Sequence, residues 1–529
     1  MTEPLRRFAL ALYLGSLLLL PSTPALAQEH PQPPQTNSAE QAGGQQAKTG
    51  SAGGQTVADR LPPTSVTNHT LTLAGEALRY SATAGTIALR DAQGKTTADI
   101  FYVAYAREPR DAKRPVTFVF NGGPGAASAY LHLGAIGPKI VAASDNGELV
   151  GPPPRLIDND STWLTFTDLV FVDPVGTGYS RVADGKSEHD FWGVEQDTEA
   201  LAGFIRVYLI DAARMAAPIF LTGESYGGFR AVTITRELQK NGGGSPSGLV
   251  LVSPALEFAL LSGEDYDPLP WALALPSYAA VKLESEGVTG RAALKVALKD
   301  AEHYALSNYL VALASGAEPG GKTAAAEVAR LTGLPLDVVN ENLARISPSV
   351  FIKEFGRANR QLLSRYDGSV KAPDPQPSST WPRGPDPVLD ATVPLWTSAF
   401  VEYAQTELDY KTDENYRLLN RSVRGKWDFG TTPNRQGYAG VLDDIQKARA
   451  ANRQLAVIMA TGYTDLITPY LAPTYLVSQL PPLEGAVPIT IEDYAGGHML
   501  YLRPESRRAL KDDVEAMYRR ALDPSQSEG

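Results

Sequence analysis

Short, unbroken apolar runs recur along the chain, each closing on a cluster of glycine, proline or small polar residues. Val116 to Phe120 ends in Asn-Gly-Gly-Pro-Gly. Leu169 to Val172 ends in Asp173-Pro174-Val175-Gly176. Ile219 to Leu221 runs into Thr222-Gly223, and Leu249 to Val252 into Ser-Pro. Leu455 to Met459 ends in Ala-Thr-Gly, and Ile489 to Ile491 leads to Tyr494-Ala495-Gly496-Gly497. Runs of this length without polar alternation predict strands of a parallel sheet covered on both faces. Helical stretches, such as Thr198 to Ala213 and Phe229 to Gln239, separate several of them. This alternation predicts an open α/β sheet with its ligand site at the carboxyl ends of the strands. Ahead of it the rhythm is different. Thr70 to Leu73 and Leu78 to Ser81 alternate apolar and polar positions around Gly75, and Thr97 to Arg107 is rich in Tyr and Val. An antiparallel β-edge is expected over 66–107.

The alternation lapses over residues 257–450. Leu294 to Ala314 and Ala324 to Thr332 have helical character, as does Leu343 to Leu363, with Pro348 as an interruption. Pro373 to Pro394 is proline-rich and is expected to be irregular. A mostly helical insertion over the sheet is expected here, dividing the α/β core into 61–256 and 451–529. The N-terminus has its own pattern. Arg6 and Arg7 precede an apolar run from Phe8 to Leu20, shorter than the about 20 residues that span a bilayer. Ala25-Leu26-Ala27 has the small-x-small form of a signal-peptidase site, so residues 1–27 are expected to be a signal peptide cleaved after Ala27. No stable membrane insertion is expected after cleavage. Residues 28–60, rich in Gln, Gly, Ala, Ser, Thr and Pro, bury too little apolar surface to offset chain entropy and read as a disordered leader.

Composition narrows the chemistry. The 529 residues include no cysteine, which excludes disulfides, Cys nucleophiles, Fe–S clusters and thiolate zinc sites. An exported chain without cysteine fits a bacterial envelope protein, periplasmic or secreted. The formal net charge of −11 argues against a nucleic-acid binder, which would need a basic face. No H-E-x-x-H helix occurs, and no metal or organic cofactor is expected.

Gly223-Glu224-Ser225-Tyr226-Gly227 sits where a predicted strand meets a predicted helix, the context of a nucleophile elbow. A serine nucleophile needs a base, and on such a sheet the order is serine, acid, histidine. Of the 6 histidines, only His303 and His498 lie beyond Ser225. His303 falls inside a helical stretch of the insertion. His498 follows the last predicted strand in Gly496-Gly497-His498 and is the expected base. Asp465, after the penultimate strand, is the expected acid, with Asp493 as its rival. Backbone donors for a tetrahedral intermediate are expected from Tyr226 N–H, just after the nucleophile, and from Gly123 N–H in the loop Asn121-Gly122-Gly123-Pro124-Gly125.

These blocks, with Asp173-Pro-Val-Gly-Thr-Gly-Tyr-Ser180 and Gly497-His-Met499, resemble the signature blocks of the serine carboxypeptidases, peptidase family S10, in order and spacing over roughly residues 100–505. The resemblance implies an α/β-hydrolase fold, a Ser225–Asp465–His498 triad, and an oxyanion hole from Gly123 and Tyr226. It further implies that Asn121, Gly122 and Glu224 bind the terminal carboxylate of a peptide substrate with a free C-terminus. The chain departs from the family at Val119, where a tryptophan is usual, and at Ala135, where a glutamate usually partners the acid of the serine motif. Competing readings are an esterase or acyltransferase on the same scaffold, or a binding protein with a dead site.

Overall fold

The computed structural model describes residues 61–241, 244–261, 266–430 and 440–523. The signal peptide and leader expected over 1–60 lie outside the described residues. Strand β1 (Ser65–Leu73) turns into β2 (Glu76–Arg90) through Ala74 and Gly75, both at positive φ (49° and 87°), as a two-residue hairpin turn requires. β3 (Thr96–Arg107) adds antiparallel to β2. The short runs then form β4 (Val116–Phe120), β5 (Asp168–Val172), β6 (Ile219–Glu224), β7 (Gly248–Val252), β8 (Ala456–Gly462) and β9 (Thr490–Tyr494). Strand order in the 10-stranded sheet is β1-β2-β3-β5-β4-β6-β7-β8-β9, with Arg181–Val182 paired beside β3. β5 is antiparallel to β3, and every pairing from β5 through β9 is parallel. This is the α/β-hydrolase architecture.

Alternate residues of the parallel strands feed two separate cores. Phe118, Phe120, Val170, Val172 and Leu221 belong to one, while Val119, Leu169, Phe171 and Phe220 belong to the other. Both faces are therefore dry, which is why the strands read as unbroken apolar runs. Helices α1 (Val194–Asp211) and α2 (Tyr226–Lys240) cover the first face. A later helix, Pro504–Leu522, covers the second, with Tyr518 stacked on Phe220 at 3.7 Å between ring centres.

Between β7 and β8 the chain makes a long, mostly helical excursion. Helix α3 (Pro268–Ser285) carries Pro276 within it, and α4 (Ala317–Thr332) is longer than its apolar pattern indicates. Pro348 does not interrupt a helix. It starts one, Pro348–Glu354, where the missing N–H is harmless and Ser347 caps the end by accepting from Val350 N at 3.1 Å. The helical reading also fails at Gln361–Leu363, which pairs antiparallel with Lys371–Pro373. The expected irregular stretch up to Pro394 ends early, because α5 (Leu389–Thr406) passes through that proline. Helix α6 (Leu442–Ala451) packs on α2, where Gln239 Nε2 donates to Ala448 O at 3.1 Å. It therefore joins the core layer and is not part of the excursion.

Candidate active site

Strand β6 ends at Glu224 and α2 begins at Tyr226, so the whole reversal falls on Ser225. Its φ of 58° and ψ of −125° are strained for a residue with a side chain. Three backbone bonds hold it there: Ser225 N donates to Val252 O at 2.9 Å, and Gly228 N and Ala255 N donate to Ser225 O at 3.0 Å and 3.1 Å. The flanking glycines are sterically required. A Cβ on Gly223 would lie 1.9 Å from Gly227 O, and one on Gly227 would lie 2.5 Å from Phe120 O. Within the buried stretch 219–235, Ser225 is the residue that keeps partial exposure.

The loops after β8 and β9 bring the histidine and its acid together. His498 Nδ1 lies 2.8 Å from Asp465 Oδ2. Asp465 Oδ1 accepts from Ile467 N at 2.7 Å and Thr468 N at 2.9 Å, while Thr468 Oγ1 donates to Oδ2 at 2.5 Å. Thus the carboxylate is fixed by its own turn before it meets the imidazole. Burial works against charge on His498, but Asp465, by charge and hydrogen bond, and Glu224, by charge, raise its pKa above the ordinary imidazole value. His498 O accepts from Ser253 Oγ at 2.9 Å, which ties the loop to the strand end that also holds Ser225 N. A Cβ on Gly462 would stand 2.1 Å from Gly497 O, so the two loops touch at the backbone.

The loop after β4 lies on the elbow. A Cβ on Gly122 would meet Tyr226 N at 2.6 Å and Glu224 O at 2.7 Å. Gly123 takes a φ of 103°, open to glycine. Tyr226 opens α2, where backbone amides point out of the helix and favour negative charge. Asn121 is oriented by Leu131 N, which donates to its Oδ1 at 3.0 Å, and its Nδ2 donates to Glu224 Oε2. Tyr501 O–H donates to the same oxygen at 2.8 Å. Burial raises the Glu224 pKa to about 7, against the opposing pull of His498 and the bonds from Tyr501 and Asn121.

Asp493 does not join this group. Its Oδ1 accepts from Thr461 Oγ1 at 2.5 Å, and burial raises its pKa to about 6. His303 is exposed on a helix of the excursion. Ala135 is buried in the turn of helix His132–Ile136, with its carbonyl accepting from Asn159 Nδ2 at 2.9 Å. Among the described residues no group of three or more His, Asp or Glu is arranged to hold a metal ion. The sequence reading missed Tyr501, Thr468 and Asp367. Thr468, three residues after Asp465 in a turn, carries a readable Asx-type signal. Tyr501 lies just past the Gly497-His-Met499 block but outside it, and Asp367 comes from a segment that carries no motif.

Residues 78–245 match the family model "Serine carboxypeptidase". The match covers the nucleophile elbow and the loop that lies on it. Over these residues the chain is similar to the serine carboxypeptidases. The chain is 27% identical over 185 residues to serine carboxypeptidase-like 20 of Arabidopsis thaliana, covering 33% of this chain and 34% of the relative. It is 35% identical over 144 residues to a pheromone-processing carboxypeptidase of Cryptococcus gattii, covering 26% of this chain and 20% of the relative. The aligned stretches thus span about a third or less of these relatives' length. The structure of a prohormone-processing carboxypeptidase from Saccharomyces cerevisiae superposes with a TM-score of 0.52 at 15% identity, covering 83% of this chain and 91% of that one. That likeness is one of fold.

Proposed function

We propose that this chain is a serine carboxypeptidase that removes single residues from the free C-terminus of peptides. In this reading His498 takes the proton of Ser225 Oγ as the oxygen attacks the last peptide carbonyl. Asp465 holds the imidazole tautomer and stabilises the imidazolium. The N–H groups of Gly123 and Tyr226 receive the oxyanion. His498 returns the proton to the leaving nitrogen, the C-terminal amino acid departs, and water hydrolyses the acyl-enzyme by the same route in reverse. Asn121, Gly122 and Glu224 hold the terminal carboxylate. Export fits the N-terminal pattern, and among the described residues no helix is long and apolar enough to cross a membrane.

The observation that carries the reading is Glu224. It is a buried carboxyl next to the nucleophile, oriented by Asn121 and Tyr501, and a substrate carboxylate is a group that such an acid can recognise. With a pKa raised to about 7, Glu224 keeps its proton through the acidic range. A protonated carboxyl donates to a substrate carboxylate, whereas an ionised one repels it. The productive enzyme has neutral His498 and protonated Glu224. For peptides with a free C-terminus, kcat/KM should therefore decline as pH rises through about 7. The matching amides lack the second charge and should not show that decline. Parallel pH profiles of one peptide, as free acid and as amide, test this. Coincident profiles would remove the carboxypeptidase reading and leave an esterase or acyltransferase.

A further inference from the structure

Both hydrogen bonds to the Glu224 carboxyl fall on one oxygen. Asn121 Nδ2 and Tyr501 O–H each donate to Oε2, and Oε1 receives none from the described residues. Two donors on Oε2 disfavour a proton there, so the proton of the neutral acid belongs on Oε1. Tyr501 is fully buried, three residues past His498, and its ring closes on the helix turn that holds Ala135. A Cβ on Gly134 would stand 2.8 Å from Tyr501 Cε2 and 2.7 Å from Trp396. The ring is thus closely packed, with its hydroxyl on Glu224 Oε2 at 2.8 Å. Nearby, the Tyr130 hydroxyl is buried without a hydrogen-bond partner among the described residues, and its titration responds to the charge of Glu224. An unsatisfied buried hydroxyl beside this acid is a donor waiting for an acceptor.

We propose that Tyr501 is a positioning residue for carboxylate recognition: with Asn121 it pins Oε2 of Glu224, so that Oε1 and its proton face the terminal carboxylate of the substrate. One carboxyl, oriented by a phenol, then performs the recognition, with alanine and not an acid at position 135. The groups that bear on Glu224 electrostatically are His498, Asp465, Tyr501, Tyr130 and Tyr366, with Asn121 as a neutral donor. Among them Tyr501 and Asn121 stabilise the ionised form by hydrogen bonding. Removing the Tyr501 hydroxyl should therefore raise the Glu224 pKa while releasing its orientation.

This inference rests on the carboxypeptidase reading, and Tyr501→Phe tests it. The ring still fills the space against Gly134, and thermal unfolding reports whether it does. The preference for a free-acid peptide over its amide, as a ratio of kcat/KM values, should fall about tenfold, mainly through KM. The remaining free-acid activity should persist to higher pH than in the wild type. In a Glu224→Gln background, Tyr501→Phe should change the ratio much less, because the two act through one contact. A merely structural role would lower both substrates in proportion and leave the ratio and the pH profile in place, which overturns the proposal. So would equal effects of Tyr501→Phe in the wild-type and Glu224→Gln backgrounds. If the wild type itself shows no preference for free acids, the carboxypeptidase reading falls first and takes this inference with it. A wild-type preference that survives Tyr501→Phe removes this inference alone.

Discussion

Two aspartates near the same strand ends, Asp465 and Asp493, separate structure from coincidence at the level of single residues. Asp465 accepts two backbone N–H groups and the Thr468 hydroxyl, and meets His498 Nδ1 at 2.8 Å. Asp493 is taken up by Thr461. Asp465→Asn should therefore lower kcat by about 10⁴, because the amide favours the wrong imidazole tautomer. Asp493→Asn should leave kcat within a few-fold. Steady-state kinetics on one peptide decides the ranking, and the reverse order would reassign the acid. Ser225→Ala and His498→Ala should each lower kcat by about 10⁶, with little further loss in the double variant, since the residues act as a unit. Which acid meets His498 is legible in the sequence, because strand order dictates which loop ends near the elbow. The partners of Glu224 are less so. Asn121 stands in a glycine-rich block that marks itself, but Tyr501 looks like any core aromatic until packing aims its hydroxyl.

At the scale of elements, the two loops that carry Asp465 and His498 are joined by a third segment, 364–369, from within the helical excursion. Asp367 Oδ1 accepts from Thr464 Oγ1 at 2.7 Å, and its Oδ2 accepts from Gly497 N at 3.1 Å. Backbone bonds run beside them: Gly368 N to Thr464 O at 2.9 Å, Leu466 N to Arg365 O at 3.1 Å, and His498 N to Tyr366 O at 2.6 Å. One carboxylate thus fixes the residue before the acid and the residue before the histidine. Asp367→Ala should lower kcat on free-acid and amide peptides alike by about 10- to 100-fold, the range expected when catalytic groups lose their mutual alignment. KM should change little. A variant with wild-type turnover would show that the backbone bonds alone hold the loops. Nothing in the sequence marks this segment, because its contacts are with loops far along the chain. Helix boundaries in the excursion are poorly legible for a related reason. Pro276 and Pro394 lie inside helices that tertiary packing stabilises, and Pro348 sits at a helix start where proline fits.

For the molecule as a whole, the decisive feature is that the sheet is assembled from two ends of the chain. β7 and β8 pair in parallel, Leu249 with Val457 and Leu251 with Met459, although the entire excursion lies between them. The strands themselves are legible because burial on both faces leaves their sequences wholly apolar. Which of their ends carry the acid and the histidine is legible only through the rule that serine, acid and histidine follow one another in that chain order. The same architecture has a mechanical consequence. β7 is buried along its whole length, and its N–H and C=O groups on one side are satisfied only by β8. The core beneath it draws Val457, Met459, Tyr463 and Leu466 from the second part of the chain. A fragment of residues 61–256 therefore exposes an apolar strand edge together with the core that β8 covers, a template for aggregation. Expressed alone, it should be insoluble or should unfold without a cooperative transition, while residues 61–523 should unfold in a single step. A soluble 61–256 fragment with a sharp thermal transition would mean that the first strands and α1 and α2 form a sufficient core by themselves. In that case the loops of Asp465 and His498 would be additions to a finished domain and not parts of its folding unit.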